Sequence, residues 1–263
     1  MRNLISFTVI FLSALLLISG CKRKEPAQID NAVIVRKAVA SQLKKKPEDV
    51  NEGDYAKVTS LDLSLLLISD LTPLKEFTNL NWLWLYGTKV SDLTPLKDLT
   101  NLQWLYLEET QVSDLTPLKA LINLQELYFW GTQVSDLTPL KGLKSLHKLN
   151  LGGTKVSDLT PIKELIGLQS LNLSRTKVFD LAPIKELSKL QILELSGTKV
   201  SDLTPLKDLK ELQWLVLDGT KVSDLTPIKE LKNLQQLDLS GTQVSDEQVA
   251  KLKNALPKLT IRR

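Results

Sequence analysis

Asn79-Leu80-Asn81-Trp82-Leu83-Trp84-Leu85-Tyr86-Gly87-Thr88-Lys89-Val90-Ser91-Asp92-Leu93-Thr94-Pro95-Leu96-Lys97-Asp98-Leu99-Thr100 is one complete unit of this chain, and Asn101 begins the next. Self-similarity at a fixed period is the signature of a repeat architecture, so the period decides the fold class. Prolines stand at 73, 95, 117, 139, 161, 183, 205 and 227, each 22 residues after the last, within a segment that reads like Val-Ser-Asp-Leu-Thr-Pro-Leu-Lys. Apolar L-x-L pairs fall on the same grid, from Leu61/Leu63 and Leu83/Leu85 through Leu237/Leu239 to Leu259/Ile261. Ten such pairs predict ten short strands.

Each unit has a physical reading. Alternation across Trp82 to Tyr86 puts Leu83 and Leu85 on one face and the aromatic residues on the other. Gly87 permits a backbone turn that a side chain would hinder, and the chain leaves the sheet there. Thr94 is a good helix N-cap and Pro95 a good first helical residue, so a short helical or 3-10 turn should begin on the opposite side. Only about ten residues then remain before the next strand, too few for an independent core. Every unit must bury its leucines against its neighbours, and stacking is obligatory.

The pattern Leu80-x-x-Leu83-x-Leu85-x-x-Thr88-x-Val90, recurring to Val244, resembles the leucine-rich repeats of bacterial surface proteins of the internalin type, with Thr where many repeats carry asparagine. The resemblance covers roughly residues 55 to 263. It implies an α/β, right-handed solenoid with a parallel β-sheet on the concave face, short helical or 3-10 turns on the convex face, and a helical N-terminal cap. It also implies a binding module and not an enzyme. Departures from the pattern are Leu66 at a threonine position, Glu109 and Arg175 in place of glycine, and Phe179 and Ala182 in the seventh unit, where the threonine cap is lost. Residues 30–54 form the cap: Val33, Ile34, Val35, Ala38, Val39 and Leu43 fit an amphipathic helix over 30–44 that stops before Pro47. The repeats occupy 55–244. Over 245–263, Ser245-x-x-Gln248 is a capping box for a helix reaching about Ala255, ahead of Pro257 and a last strand.

The first residues read as an address. Met1-Arg2-Asn3 is a short cationic start and Leu4 to Ile18 an apolar run of about fifteen residues, short of the roughly 20 that span a bilayer. Residues 1–20 are thus a signal peptide, and its ending, Ile18-Ser19-Gly20-Cys21, resembles the lipobox of bacterial lipoproteins. That resemblance implies a diacylglycerol thioether on Cys21, cleavage before it, and an N-acyl chain, which together anchor a protein stably. Residues 21–29 are then a short basic tether. Lys22-Arg23-Lys24 either meets anionic headgroups, at about 1 kcal/mol per residue, or is simply solvated. Lys22 is not the aspartate of the inner-membrane retention signal of enteric bacteria, which favours an outer membrane where the cell has one. About eight residues at ~3.3 Å each give the tether a reach of at most ~30 Å.

Composition narrows the chemistry. A net charge of +4 is small against 34 basic and 30 acidic residues that intersperse along the chain, so nucleic acid is not an expected partner. One cysteine and one histidine, His147, leave no disulfide framework, no multi-cysteine metal site and little histidine catalysis. No cofactor is expected. His147 lies beside Lys148 and two residues from Ser145, but no regular feature sets a nucleophile, base and orienter together. The repeated Asp column (92, 114, 136 and onward) and Lys column (97, 119, 141 and onward) read as structural: the aspartates suit the dipole of the following turn and the lysines can balance them.

The residues that break the repetition carry the functional signal. On outward strand positions the second to fourth units hold Trp82, Trp84, Tyr86, Trp104, Tyr106, Tyr128 and Trp130, where later units hold mostly Gln, Ser, Asn, Asp and Glu. All five tryptophans, Trp214 included, fall on this face. Aromatic residues favour strands generally, but that preference does not gather them at one end. With neighbouring strands ~4.8 Å apart, the seven rings should form one apolar patch. The readings are an anchor platform for a protein or peptide, a glycan-binding surface with Gln103, Gln125, Glu108 and Glu126 as its polar groups, or a purely structural envelope protein with no dedicated ligand, whose rings pack only on one another or on a second copy.

Overall fold

The computed structural model describes residues 30–263. The segments expected to be a signal peptide (1–20) and a lipidated tether (21–29, with Cys21) lie outside the described residues. Ten strands of three residues each form one parallel sheet in chain order: β1 (Ser60–Asp62), β2 (Trp82–Trp84), β3 (Trp104–Tyr106), β4 (Glu126–Tyr128), β5 (Lys148–Asn150), β6 (Ser170–Asn172), β7 (Ile192–Glu194), β8 (Trp214–Val216), β9 (Gln236–Asp238) and β10 (Thr260–Arg262). A 3-10 turn of three residues separates successive strands from β1 to β9, as Thr94–Leu96 does between β2 and β3. The chain is a leucine-rich-repeat solenoid. Pairing is in register from β1 to β9, so Leu61, Leu83, Leu105 and their successors line up down the stack. They belong to a single continuous core, to which one unit contributes Leu80, Leu83, Leu85, Val90, Leu93, Leu96 and Leu99, all fully or almost fully buried.

Three polar devices recur and explain why the unit tolerates no drift. Thr88 is buried, and its hydroxyl donates to the Leu85 carbonyl at 2.7 Å; the same bond recurs in each unit down to Thr242. The same carbonyl also accepts the Thr88 N–H at 3.2 Å, so the hydroxyl is satisfied inside the core by a second bond to one acceptor. Asn101 Nδ2 donates to the Thr78 carbonyl of the preceding unit at 2.9 Å, and Asn123 and Asn233 repeat it. The third device corrects the expected cap. Thr94 is not the N-cap: it is the first residue of the turn, and its backbone N–H donates to Asp92 Oδ1 at 2.8 Å. The Thr94 hydroxyl and N–H together hold the Asp92 carboxyl below the usual carboxylate range. Since the aspartate accepts the first N–H of the turn, and the N-cap position itself is a leucine, the seventh unit keeps its turn without the threonine: Ala182 N–H donates to Asp180 Oδ1 at 2.8 Å. Among the described residues no ion pair joins a column lysine to a column aspartate, although the charge of Lys75 helps to lower the Asp92 carboxyl.

Glycine's turn conformation also proves independent of glycine. Gly87 has φ +66°, and Glu109 and Arg175, at the equivalent position, adopt +55° and +57°. The neighbouring ladder holds them in a region that costs an L-residue ~1–2 kcal/mol. Leu65 does the same in the first unit, at +62°.

Both ends are covered by helices. α1 (Asn31–Leu43) is capped by Asp30, whose side chain accepts from Ala32 N and Val33 N, and it buries Val35, Val39 and Ala40. Val33, expected on the inner face, is exposed instead. α2 (Glu52–Tyr55) carries a fully buried Asp54, which accepts from Lys45 Nζ at 2.7 and 2.8 Å, Asn51 N at 3.1 Å and Lys57 Nζ at 3.1 Å. The Lys45 bonds foremost hold its carboxyl far below the usual range. At the other end α3 (Asp246–Ala255) is capped by Ser245, which accepts from Gln248 N. This helix replaces the usual 3-10 turn and takes two more residues. The tenth strand therefore departs from the 22-residue grid: Ile261, not Leu259, pairs with Leu237.

Candidate functional site

The outward face of the sheet carries three columns. Trp82 and Trp104 are adjacent in the first, and Trp84, Tyr106 and Tyr128 in the second, because the registered pairs are Trp82 with Trp104, Trp84 with Tyr106, and Tyr106 with Tyr128. Tyr86 and Trp130 lie just past the ends of β2 and β4, in the turns and not on strand positions as the sequence suggested. Glu108 occupies the place between them in that third column.

Register places like rings about one strand spacing apart, which suits flat stacking. Trp82 and Trp104 stack with centroids 4.3 Å apart at 9°, Trp84 and Tyr106 at 5.6 Å and 13°, and Tyr106 and Tyr128 at 4.6 Å and 12°. Stacked pairs of this kind contribute about 0.5–1.5 kcal/mol beyond area burial. Stacking leaves ring edges, and not the paired faces, for a ligand. Accordingly Trp82, Trp84, Trp104, Tyr106, Tyr128 and Trp130 are half-buried, and Tyr86 is the one of the seven that is exposed.

A charged border adjoins the stacks. Glu126 follows Trp104 in the first column and is buried; its Oε2 accepts from Tyr128 Oη at 2.9 Å, and its Oε1 lies 2.9 Å from Lys148 Nζ and 3.5 Å from His147 Nε2. Burial raises the Glu126 carboxyl, but Lys148 and Tyr128 outweigh that and hold it below its ordinary value. Burial first, then the charges of Glu126 and Glu108, pushes the Tyr106 phenol up to about 12, and Tyr128 moves in the same direction. Both phenols stay protonated and act as donors at neutral pH. Of the four polar groups considered for a sugar, Gln125 donates to Gln103 at 3.1 Å and Glu126 is tied to Lys148 and Tyr128. Glu108 is raised by burial.

The repeat geometry invites comparison with known proteins. A family model described as leucine-rich repeats, two copies, matches residues 122–164. The structure of internalin C2 from Listeria monocytogenes is 30% identical with a TM-score of 0.75, and the match covers 78% of this chain and 91% of that one. The chain belongs to the leucine-rich-repeat proteins. A leucine-rich-repeat protein of Leptospira interrogans is 29% identical with a TM-score of 0.71, over 77% of this chain and 54% of that one. The ectodomain of a plant membrane receptor kinase from Arabidopsis thaliana, solved in complex with Casparian strip integrity factor 2, shares 22% identity and a TM-score of 0.68 over 81% of this chain and 28% of that one. At that identity the likeness is one of fold alone. A search of curated proteins returns no match.

Two features of this leucine-rich-repeat protein were not read from the sequence. Gly152 is a seat for Trp130: a Cβ placed on it would fall 2.1 Å from the indole Cε3. The signal was available, since Gly152-Gly153 is the only unit with glycine at both positions. The second is a concavity of about 420 Å³ at the far end of the face, lined by Trp214, Val216, Asp218, Gln236, Asp238 and Arg262 among others. Trp214 is 45% exposed and, unlike Trp82, Trp84, Trp104, Tyr106 and Tyr128, stacks on no other ring among the described residues.

Proposed function

We propose that this leucine-rich-repeat protein is a lipid-anchored binding module of the bacterial cell envelope. It recognises a protein or peptide through the aromatic part of its concave strand face. The observation that carries the reading is the gathering of Trp82, Trp84, Tyr86, Trp104, Tyr106, Tyr128 and Trp130 into three consecutive units of one face. Tryptophan and tyrosine are the residues that most often dominate protein interfaces, and the stacks pre-order them, so little side-chain entropy is lost on binding. The plant receptor ectodomain, which shares the fold, was solved in complex with Casparian strip integrity factor 2, and such a use agrees with this reading. The anchor is Cys21, outer membrane favoured, and among the described residues no helix is long and apolar enough to cross a membrane.

Glycan recognition is the second reading. Ring stacking weakens it for Trp82, Trp84, Trp104, Tyr106 and Tyr128, whose paired faces are occupied. The observation favouring it is the concavity beside Trp214, where a free indole stands among Asp218, Gln236, Asp238 and Arg262.

The test compares wild type with a Tyr86→Ser/Trp84→Ser variant and a Trp214→Ala variant, in capture from envelope extracts and on a glycan array, with urea unfolding alongside. Loss of one protein species by the first variant alone, with folding intact, supports the aromatic platform. Equal capture by all three overturns it, and loss of a sugar by Trp214→Ala alone moves the function to the second reading.

A further inference from the structure

The exposed large apolar side chains of this protein are mostly single: Ile122, Ile166 and Phe179 each stand alone in their units. The first unit differs. Leu65, Leu66 and Leu67 are 70%, 39% and 57% exposed, and Val33 of α1 is exposed at the same end. Scattered apolar residues need no explanation, whereas a contiguous run signals something that covers it. These leucines replace residues that later units fill with Gly, Thr and Lys or Gln. Leu65 keeps the left-handed conformation of the replaced glycine, with φ +62°.

Position identifies the cover. The described chain enters the domain beside this run: Asn31 Oδ1 accepts from Ser69 N at 3.0 Å, two residues beyond Leu67. A tether of about eight residues reaches at most ~30 Å from Cys21. Ten strands at ~4.8 Å spacing make a stack ~43 Å long, so a lipid on Cys21 holds the first unit, and not the last, close to the bilayer. Lys22-Arg23-Lys24 on the same tether suits anionic headgroups.

We infer that Leu65-Leu66-Leu67 is a membrane-contacting surface, which inserts among the lipids to which the chain is tethered and sets the solenoid's orientation on the membrane. The inference rests on the lipid-anchor reading of Cys21. It also explains why the first unit lacks the polar turn residues of the others: leucine is unfavourable at these positions in water and favourable at a lipid interface.

Cys21 is the chain's one cysteine, and a thioether to lipid leaves no free thiol there. A Leu67→Cys variant of the full chain, produced in bacteria and labelled with an environment-sensitive fluorophore, then carries one probe at 67. Lys221→Cys, the same position seven units on and ~34 Å away, is the control. Both are reconstituted in phosphatidylethanolamine–phosphatidylglycerol vesicles with and without nitroxide lipid. The expected result is loss of most of the emission at 67 in nitroxide vesicles and none at 221. Vesicle-bound protein with no quenching at 67 overturns the inference. A blue shift at 67 without quenching also overturns it, and shows that a second copy or another protein covers the leucines. Two probes per molecule by mass, with no flotation on vesicles, instead refutes the anchor, and the inference falls with it.

Discussion

Replacing Gly152 by alanine tests how Trp130 is held on the outward face. The added Cβ would lie 2.1 Å from Trp130 Cε3 and 2.2 Å from Cζ3. Carbon atoms in favourable contact are ~3.5–4.0 Å apart, so the indole must lift by about 1.5 Å or swing into solvent. Gly152 is not among the residues with positive φ, so the backbone accepts alanine and most of the effect passes through the ring, the one other close contact being Asn150 Oδ1 at 3.3 Å. Overpacking of this kind costs about 1–3 kcal/mol, and the stiffer unfolded chain returns about 0.4–1 kcal/mol. The expected net loss is about 1–2 kcal/mol. Urea denaturation of wild type, Gly152→Ala, Trp130→Ala and the double variant measures it. Without the indole the clash is absent, so alanine at 152 should be neutral or stabilising by up to ~1 kcal/mol, a coupling of about 2 kcal/mol. An equal effect of Gly152→Ala in both backgrounds would refute the placement of Trp130 across Gly152.

Further expectations concern the turns and the core. Glu109→Gly and Arg175→Gly should each raise stability by roughly 0.5–1 kcal/mol, because relief of a left-handed conformation costing ~1–2 kcal/mol exceeds glycine's unfolded-state penalty of ~0.4–1 kcal/mol; a lowered urea midpoint would contradict this. Asp92, Asp114, Asp136, Asp158, Asp202 and Asp224 are all held below their unfolded pKa by the threonine two residues on. The stability they confer is complete above the unfolded value near 3.9 and is lost as pH falls through the folded values, so the melting temperature measured from pH 6 to 2 should start to fall below about 4. A melting temperature flat to pH 2 would deny these caps a part in stability. Leu127→Ala, at a fully buried position in mid-stack, should cost about 2–5 kcal/mol, read as a shifted denaturant midpoint; a loss under 1 kcal/mol would show that the stack closes over the cavity.

The aromatic candidates show how far one-dimensional reading extends. Trp82, Trp84, Trp104, Tyr106 and Tyr128 were legible as outward strand residues because side chains alternate along a strand whatever its partners do. Tyr86 and Trp130 were placed on strands when they belong to turns, since the length of a strand is set by pairing with its neighbours and here stops at three residues. The cap was assigned to Thr94 on local propensity, but the oxygen that receives its N–H comes from Asp92, a choice the folded turn makes. The last strand leaves the 22-residue grid because α3 is a true helix and needs two residues more than a 3-10 turn.

The sequence by itself determined the period, the inward leucines, the parallel stacking and the aromatic enrichment at one end. All follow from repetition at 22 residues and from units too short to bury their own apolar groups. Only the tertiary structure decided what those side chains do once stacked. It set ring against ring at one strand spacing, laid Trp130 across Gly152, buried Asp54 and Glu126 with their lysines, and left Trp214 and the leucines of the first unit uncovered. Each of these depends on contact between residues about 22 apart in the chain, or at the ends where a neighbour is missing. Register fixes such contacts in space, and composition along the chain does not encode them singly.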